Sequence, residues 1–514
     1  MILITSADYV VDELKVEFGS IPPSFLPIGN LRLFKHQVAI IRKFISDDIY
    51  LSIPSSFDIK SKDLSDLGLL DLKIVRVPEK LSLGESISYV LNGLTYKSQK
   101  LYILHGDTLI TDFPVSDDFI SISSEVENYS WEYDSSSNRD SIWCGLFSFS
   151  NLSFFENSLK EVNHSFIDAV KLYSDFKFLK RIESKDWSDF GHVVTYYKSR
   201  CRKTTERSFN SLKIIDGIVT KKSVNNKKIL GEISWFENLP SQLKIFTPSL
   251  IEFNKVYDIF YSLEYLYIPT LAELFVFGVQ NKKFWINIMD KCFQFLSISS
   301  SLTPNTSSNV TIQSSKSLII DKTIDRVILI EASGIWDLNE EIVFNGIISP
   351  SINSILENLY LNAFDNDIIY GYMHGDFCFS NILYDIRSNR IKVIDPRGMN
   401  SINEISLFGD LYYDYSKLSH SILGCYDYII AEMFFMNIHS NNNYEFEIDI
   451  DDRTIEIQEE FVNQLLFRGL NYKKIYAQMI LLFISMIPLH SDNVVRQKAF
   501  ILNTYRLYNI WINI

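Results

Sequence analysis

The chain has 514 residues, 46% of them hydrophobic and 22% charged, with a formal charge of −14. That length implies two or three domains of ordinary globular composition, and 28 Tyr and 37 Phe against 19 Gly and 13 Pro argue against extensive disorder. The acidic surplus argues against a nucleic-acid-binding surface, which needs clustered Lys and Arg, and leaves room for a local basic pocket that takes a nucleotide.

The opening MILITSADYVVDELK has no basic leader, long apolar core or small-residue cleavage site, and reads as a first strand and turn, not a signal peptide. Strand-like runs MILITSA, IYLSIPS, LKIVRVP and KLYILHGD alternate with LRLFKHQVAIIRKFISD and SLGESISYVLNGLTYKS, which have helical spacing. Strand, helix, strand in sequence predicts a parallel, doubly wound α/β sheet over residues 1–200. The polar stretch SSEVENYSWEYDSSSNRDS reads as an excursion before the buried strand IWCGLFSFS.

The basic stretch YKSRCRKTTERS marks a boundary near residue 200. After it LKIIDGIVTK and IPTLAELF read as strand-like, and KKILGEISWFENL as a helix between them. SISSSLTPNTSSNVTIQSSKS, rich in Ser, Thr and Asn, reads as a mobile loop. Helices are expected to dominate from about residue 350. No apolar run reaches the roughly 20 residues that cross a bilayer; FVFGVQNKKFW and QMILLFISMIPL come nearest. Five widely spaced cysteines (Cys144, Cys201, Cys292, Cys378 and Cys425) fit neither a disulfide framework nor a zinc site, so the expected compartment is a reducing cytoplasm.

One segment interrupts the C-terminal helices with chemistry. In GYMHGDFCFSNILYD, the HGD turn places Asp376 at the start of a loop, Asn381 follows five positions later, and IKVID reads as a strand ending on Asp395. A nucleoside triphosphate needs magnesium, which prefers hard oxygen ligands. An acceptor hydroxyl needs a carboxylate to orient it and take its proton. One Asp as base, with an Asn and a second Asp on metal, supplies that set.

This spacing resembles the aminoglycoside phosphotransferase and choline kinase family, with its two-lobed, protein-kinase-like α+β fold. The resemblance implies Asp376 as catalytic base, Asn381 and Asp395 as magnesium ligands, and His374 as support for the loop. GIVTKKSVNNKKILGEISWF offers the phosphate lysine, Lys221, and its helical partner, Glu232, with Lys222 as the alternative if the strand register slips. SLEYLYIPTLAELF resembles the adenine-reading hinge. No GxGxxG precedes Lys221; RSFNS stands there instead. Arg397, in IDPRG, is the candidate for an anionic group of substrate or product. GDLYYDYSKLSHSILGCYD resembles the helix that shapes the acceptor pocket, with Asp410 and Asp414 as candidate contacts.

The N-terminal half resembles the sugar-phosphate nucleotidyltransferases. LSLGESISYVL matches their base-contacting glycine segment (Gly84, Glu85, Ser86), and LYILHGDTLI the strand ending in a metal-binding aspartate, Asp107. SIWCGLFSFS matches the glycine-bearing strand over the sugar. WSDFGHVVTYYKS matches the closing Asp-x-Gly piece, with Asp189 as second metal contact. The match departs where the triphosphate is held. SADYVVDELKVEFGS has a single glycine, Gly19, and Pro23 stands in place of the family lysine, with Lys15, Arg32 and Lys35 the nearest replacements.

The combined resemblance implies a nucleotidyltransferase-like domain at 1–200, a kinase-like N-lobe at 201–280 and a C-lobe with the catalytic loop at 281–514. It implies a bifunctional enzyme. A small molecule is phosphorylated from ATP with Mg2+, then coupled to a second nucleoside triphosphate, CTP or UTP, giving an NDP-sugar or CDP-alcohol for bacterial surface polysaccharide. The alternative is a small-molecule kinase with a non-catalytic nucleotidyltransferase-like module. No nucleic-acid partner and no membrane insertion are expected.

Overall fold

The computed structural model describes residues 1–94, 98–124, 132, 141–203, 210–302, 312–365, 367–439 and 442–514. The chain divides into two units, Met1–Thr204 with Phe277–Val279, and Thr205–Val276 with Gln280–Ile514.

The first unit is built on a seven-stranded sheet in the order Lys180–Glu183, Phe119–Ser123, Ile142–Phe149, Leu101–His105, Ile2–Thr5, Ile49–Pro54, Leu72–Val77. The last four run parallel, as the strand–helix alternation predicts. Ile142–Phe149 runs antiparallel to both neighbours, so the sheet is mixed where a parallel one was expected. This strand lies beside Phe119–Ser123, the strand before it in sequence, the arrangement of strands joined by a direct return rather than a crossover. Most of the polar excursion between them lies outside the described residues.

From Ile2–Thr5 the chain builds outward to Leu72–Val77, then returns to Leu101–His105 on the other side. The crevice at the carboxyl ends of Ile2–Thr5 and Leu101–His105 is therefore a topological switch point, where open α/β sheets place ligands. The helix Leu33–Phe44 buries Leu33, Phe34, Gln37, Val38 and Ile41, one face of a 3.6-residue period. The helix Leu83–Gly93 starts on a capping box between Ser82 and Glu85. With Leu152–Glu161 and Phe166–Phe176 it closes a core that includes Leu3, Ile103, Phe147, Phe155 and Tyr173.

The second unit opens with a four-stranded antiparallel sheet in the order Asn210–Ile215, Ile218–Ser223, Phe260–Glu264, Leu250–Asn254. Its first hairpin turns on Asp216 and Gly217 at φ 48° and 75°, the pair of left-handed residues that a tight two-residue turn requires. Asn225 caps the helix Asn226–Asn238 by accepting the Lys228 N–H. The segment IPTLAELF, expected to be strand-like, folds as the helix Leu271–Phe277. The cause is a capping box: Thr270 N–H donates to Glu273 Oε2 at 2.9 Å, and Glu273 N–H donates to Thr270 Oγ1 at 3.2 Å.

Helices dominate from Lys282, earlier than the sequence suggests. In the stretch 297–317, expected to be a mobile loop, residues through Ser301 end the helix Lys282–Ser301 and Ile312 opens the helix Ile312–Ser333; 303–311 lie outside the described residues. The helix Tyr472–Met486 is buried from Lys474 to Ser485 and packs against Ile312–Ser333, Tyr412–Ile422 and Val494–Trp511. A second sheet, Ile347–Ser349, Ile342–Phe344, Asn443–Ile448, Phe434–Ile438, was not expected. Among the described residues no helix is long and apolar enough to cross a membrane.

Candidate active site

Strand alternation in Ile218–Ser223 turns Lys221 inward and Lys222 outward, where Lys222 meets Asp258 at 2.5 Å on the surface. Lys221 Nζ lies 2.8 Å from Oε2 of Glu232, a carboxylate with no exposed surface, and Tyr261 donates its hydroxyl to the same oxygen at 2.6 Å. Lys221 also pairs with Asp395 Oδ1. Burial works against the lysine's charge, but Asp395 and Glu232 outweigh it and hold its pKa above the ordinary value.

The hairpin of Ile382–Asp385 with Arg390–Val393 delivers the chain to Asp395, two residues past the strand end, at φ 58°. Gly398 follows at φ 62°, and a β-carbon there would fall 2.1 Å from the Gly231 carbonyl oxygen. The 395–398 turn therefore lies directly on the helix that carries Glu232.

Asp376 stands just past the strand Tyr370–Tyr372. Its loop is held from behind by Asp414, which accepts the His374 and Gly375 N–H groups, each at 2.8 Å. Burial raises Asp414 to about 7. His374 is fully buried with its ring edge-on to Trp235 at 5.4 Å, and burial lowers it to about 4, so it stays neutral and accepts the Asp376 N–H at 3.3 Å. Asp410 is likewise engaged by backbone, accepting the Ile369 and Tyr412 N–H groups at 3.2 and 3.1 Å. Of the two aspartates offered as acceptor contacts, Asp414 spends both oxygens on the main chain and Asp410 its Oδ1.

The Asp376 carboxylate accepts from Asn381 Nδ2 at 2.9 Å and from Lys417 Nζ at 2.8 Å. Burial opposes its charge, but Lys417 holds its pKa below the usual carboxylate range. Sequence reasoning misses this contact, although Asp414 and Lys417, three residues apart, share one face of the helix Tyr412–Ile422. Arg397 donates its N–H to the His374 carbonyl at 2.8 Å and folds over Gly375, with its Nε buried and unpartnered.

Asn381 gives its NH2 group to Asp376, bonding both the backbone oxygen at 3.0 Å and the carboxylate, and among the described residues its amide oxygen takes no hydrogen bond. Asp395 meets Lys221 through Oδ1, leaving Oδ2 in the same position. Both are hard oxygens of the kind magnesium prefers, so the donor chemistry fits that ion. Among the described residues no group of three His, Cys, Asp or Glu forms a metal cage.

In the first unit, Asp107 follows the strand Leu101–His105 at the switch point, and Asp189 lies opposite Thr108 in a short antiparallel pair. A β-carbon at Gly191 would lie 2.6 Å from Asp107 Oδ2 and 3.3 Å from Asp189 Oδ1, so both carboxylates converge on one glycine. Burial, then the Asp107 charge, raises Asp189 to about 7, while the Thr195 hydroxyl and the Gly191 N–H support its ionised form. Facing carboxylates, one of which resists ionisation, fit a divalent cation. Gly84 allows its helix to approach the His164 carbonyl, with a β-carbon position 2.0 Å from that oxygen. Glu85 accepts the Ser82 N–H at 2.7 Å, and Ser86 is buried.

The expected glycine-rich loop is occupied by the helix Asp12–Phe18, with Asp12 and Glu13 in its first turn. The replacement cations are all engaged elsewhere. Arg32 forms a buried pair with Asp63 at 2.9 Å, Lys35 pairs with Asp66, and Lys15 meets Asp12 at 3.2 Å.

No protein-family model and no curated protein sequence matches the chain. Solved structures do. The nucleoside-diphosphate-sugar pyrophosphorylase from Vibrio cholerae RC9 is 14% identical over 39% of this chain and 99% of its own, with a TM-score of 0.34. The inositol-1-phosphate CTP transferase from T. maritima is 17% identical over 39% of this chain and 95% of its own, with a TM-score of 0.31. The ADP-bound aminoglycoside phosphotransferase APH(2'')-Ib is 12% identical over 59% of this chain and 93% of its own, with a TM-score of 0.35. The chain is thus similar to nucleotidyltransferase structures over 39% of its length and to aminoglycoside phosphotransferase structures over as much as 59%.

Proposed function

We propose that the second unit, with lobes at 201–280 and 281–514, is a kinase that transfers the γ-phosphoryl group of ATP to a hydroxyl of a small molecule. The first, at 1–200, would be a nucleotidyltransferase that joins the phosphorylated product to CTP or UTP and releases pyrophosphate. The product would be an NDP-sugar or CDP-alcohol for bacterial surface polysaccharide. One observation carries the kinase reading: Lys221, Glu232 and Asp395 meet in one cluster, and Asp376 stands beside it in the grip of Asn381 and Lys417.

Lys221, steadied by Glu232 and Tyr261, is placed for the nucleotide phosphates. The Asn381 amide oxygen and the Asp395 carboxylate would hold magnesium, which would supply positive charge to offset that of the phosphates. Asp376 is ionised and accepts the hydrogen bond of the acceptor hydroxyl, aiming its oxygen. Because the Asp376 pKa is held low, the proton moves only late, as the new O–P bond makes the hydroxyl acidic. In the first unit Asp107 and Asp189 would hold the second metal, against the nucleotide α-phosphate and the attacking phosphate.

The test is ATP consumption over a panel of sugars and amino alcohols with magnesium. Asp376→Asn is expected to fold normally and to lose roughly 10²–10⁴-fold in turnover; a variant that turns over like the parent would remove Asp376 from the reaction.

A second reading has its own observation. With an acidic helix in place of the phosphate loop and Arg32, Lys35 and Lys15 all paired, the first unit lacks an evident triphosphate grip. On that reading it is a binding module attached to the kinase. Magnesium-dependent pyrophosphate release from CTP or UTP in the presence of a sugar phosphate or phosphorylated alcohol separates the two.

A further inference from the structure

Lys417 lies on the helix Tyr412–Ile422, where every residue is buried, and is itself only 6% exposed. Lysine is among the residues least often buried, and a buried ion pair adds little stability over apolar packing of the same volume. Stability therefore does not explain a lysine at this place. Among the described residues its one ion-pair partner is Asp376, at 2.8 Å. Three residues earlier on the same helix, Asp414 holds the backbone of the Asp376 loop through the His374 and Gly375 N–H groups. One helix thus fixes the loop and, separately, the carboxylate that the loop carries.

The two oxygens of Asp376 are divided between two donors. Oδ1 meets Lys417 Nζ, and Oδ2 accepts from Asn381 Nδ2 at 2.9 Å. That nitrogen also donates to the Asp376 backbone oxygen at 3.0 Å, which leaves the Asn381 oxygen on the other side of its amide. This oxygen is the one offered to magnesium. Asp376 is therefore a single amide group away from a metal-ligand atom, and part of its side chain is exposed.

A carboxylate so placed is itself a hard-oxygen ligand for a divalent cation. Bound there, Asp376 could no longer aim an acceptor hydroxyl. Of its two donors, Asn381 belongs to the same loop and to the metal set. Lys417 comes from outside both and is the donor that competes for the carboxylate with a full charge.

We propose that Lys417 is a positioning residue that holds Asp376 off the metal, so that Asp376 stays a base and does not become a further ligand. This rests on the kinase reading and adds to it a residue that acts only through Asp376.

The test uses the full chain carrying Asp107→Ala, which silences the metal site proposed for the first unit, and reads Mn2+ binding by electron paramagnetic resonance. Asp395→Asn identifies the ion bound to the second unit. Lys417→Met is expected to bind Mn2+ about tenfold more tightly, because the number of charged ligands sets divalent-cation affinity. ATP consumption over the panel above should fall roughly 10²-fold, as misplacing a reacting group does, while AMP-PNP binding in magnesium is not weakened. Lys417→Arg keeps the charge and should stay near the parent in Mn2+ affinity. Lys417→Gln is carried in parallel, with circular dichroism, in case the apolar replacement does not fold. The deciding variant is Asp376→Asn, in which removal of Lys417 should leave Mn2+ affinity within twofold. Tightening that persists there would mean the lysine merely repels the ion, and overturns the proposal. So does unchanged Mn2+ affinity in both Lys417→Met and Lys417→Gln, or weakened AMP-PNP binding, which would make Lys417 a phosphate contact. A chain that takes no Mn2+, or takes it unchanged in Asp395→Asn, sinks the kinase reading and this proposal with it.

Discussion

Gly398 crosses Gly231 with no room for a side chain: a β-carbon on Gly398 would sit 2.1 Å from the Gly231 carbonyl oxygen and 2.9 Å from the Glu232 nitrogen. The turn that carries Asp395 and the helix that carries Glu232 are therefore set by backbone contact, and the Lys221 ion pairs are built on that contact.

Gly398→Ala should then cost both stability and turnover. The left-handed conformation alone costs an alanine roughly 1–2 kcal/mol, and the backbone clash adds to it. Gly346→Ala is the matched control, since Gly346 has φ 79° with nothing near its β-carbon position. Gly398→Ala is expected to lower Tm more than Gly346→Ala does and to cut ATP turnover more than tenfold, with turnover in the control unchanged. Equal effects of the two would mean the crossing does not set the site.

Glu232→Gln keeps the shape but removes the charge that positions Lys221. Its predicted effect is a loss of about 10²-fold or more in kcat/KM for ATP, with the fold intact by circular dichroism. In a double-mutant cycle with Lys221→Met the two losses should be strongly non-additive, because each removes the same pair. Additive losses would show that the two residues act separately.

Asp427 provides a pH signature away from the reaction. It is buried, its Oδ2 has no hydrogen-bond partner among the described residues, and burial raises it to about 7. Folded protein keeps the proton that the unfolded chain gives up near pH 4, so this group's contribution is present at low pH and is lost as pH rises to about 7. Asp427→Asn mimics the protonated form. Its Tm should equal that of the parent near pH 4 and exceed it by roughly 2–8 °C at pH 8. A difference that does not grow with pH would show that Asp427 is ionised in the fold.

In the first unit, Asp107→Ala is expected to abolish magnesium-dependent pyrophosphate release while leaving ATP turnover by the kinase unit within twofold. A parallel fall in both activities would mean the two metal sites are not independent.

The legible part of the site consists of residues whose chemistry is local in sequence. Asp376, Asn381 and Asp395 lie within twenty residues of one another, and Lys221 precedes Glu232 by one strand end and about two helix turns, so their order alone suggests an arrangement. Lys417 is far from Asp376 in sequence and meets it because its helix packs on the buried helix Tyr472–Met486. The sheet that joins Ile342–Phe344 to Asn443–Ile448 was missed for the same reason, as its strands pair across about a hundred residues. The helix Leu271–Phe277 is a different case. Thr270 and Glu273 spell a capping box in the sequence, and that signal outweighs the strand-like hydrophobicity of IPTLAELF.

The helix Tyr472–Met486 meets no solvent between Lys474 and Ser485, and the segments bearing Lys322 and Lys417 both lean on it. The place of the Lys417 ammonium beside Asp376 is thus set in part by side chains buried beneath its helix. Trading bulk along this hidden rod would move that charge without altering any residue beside Asp376.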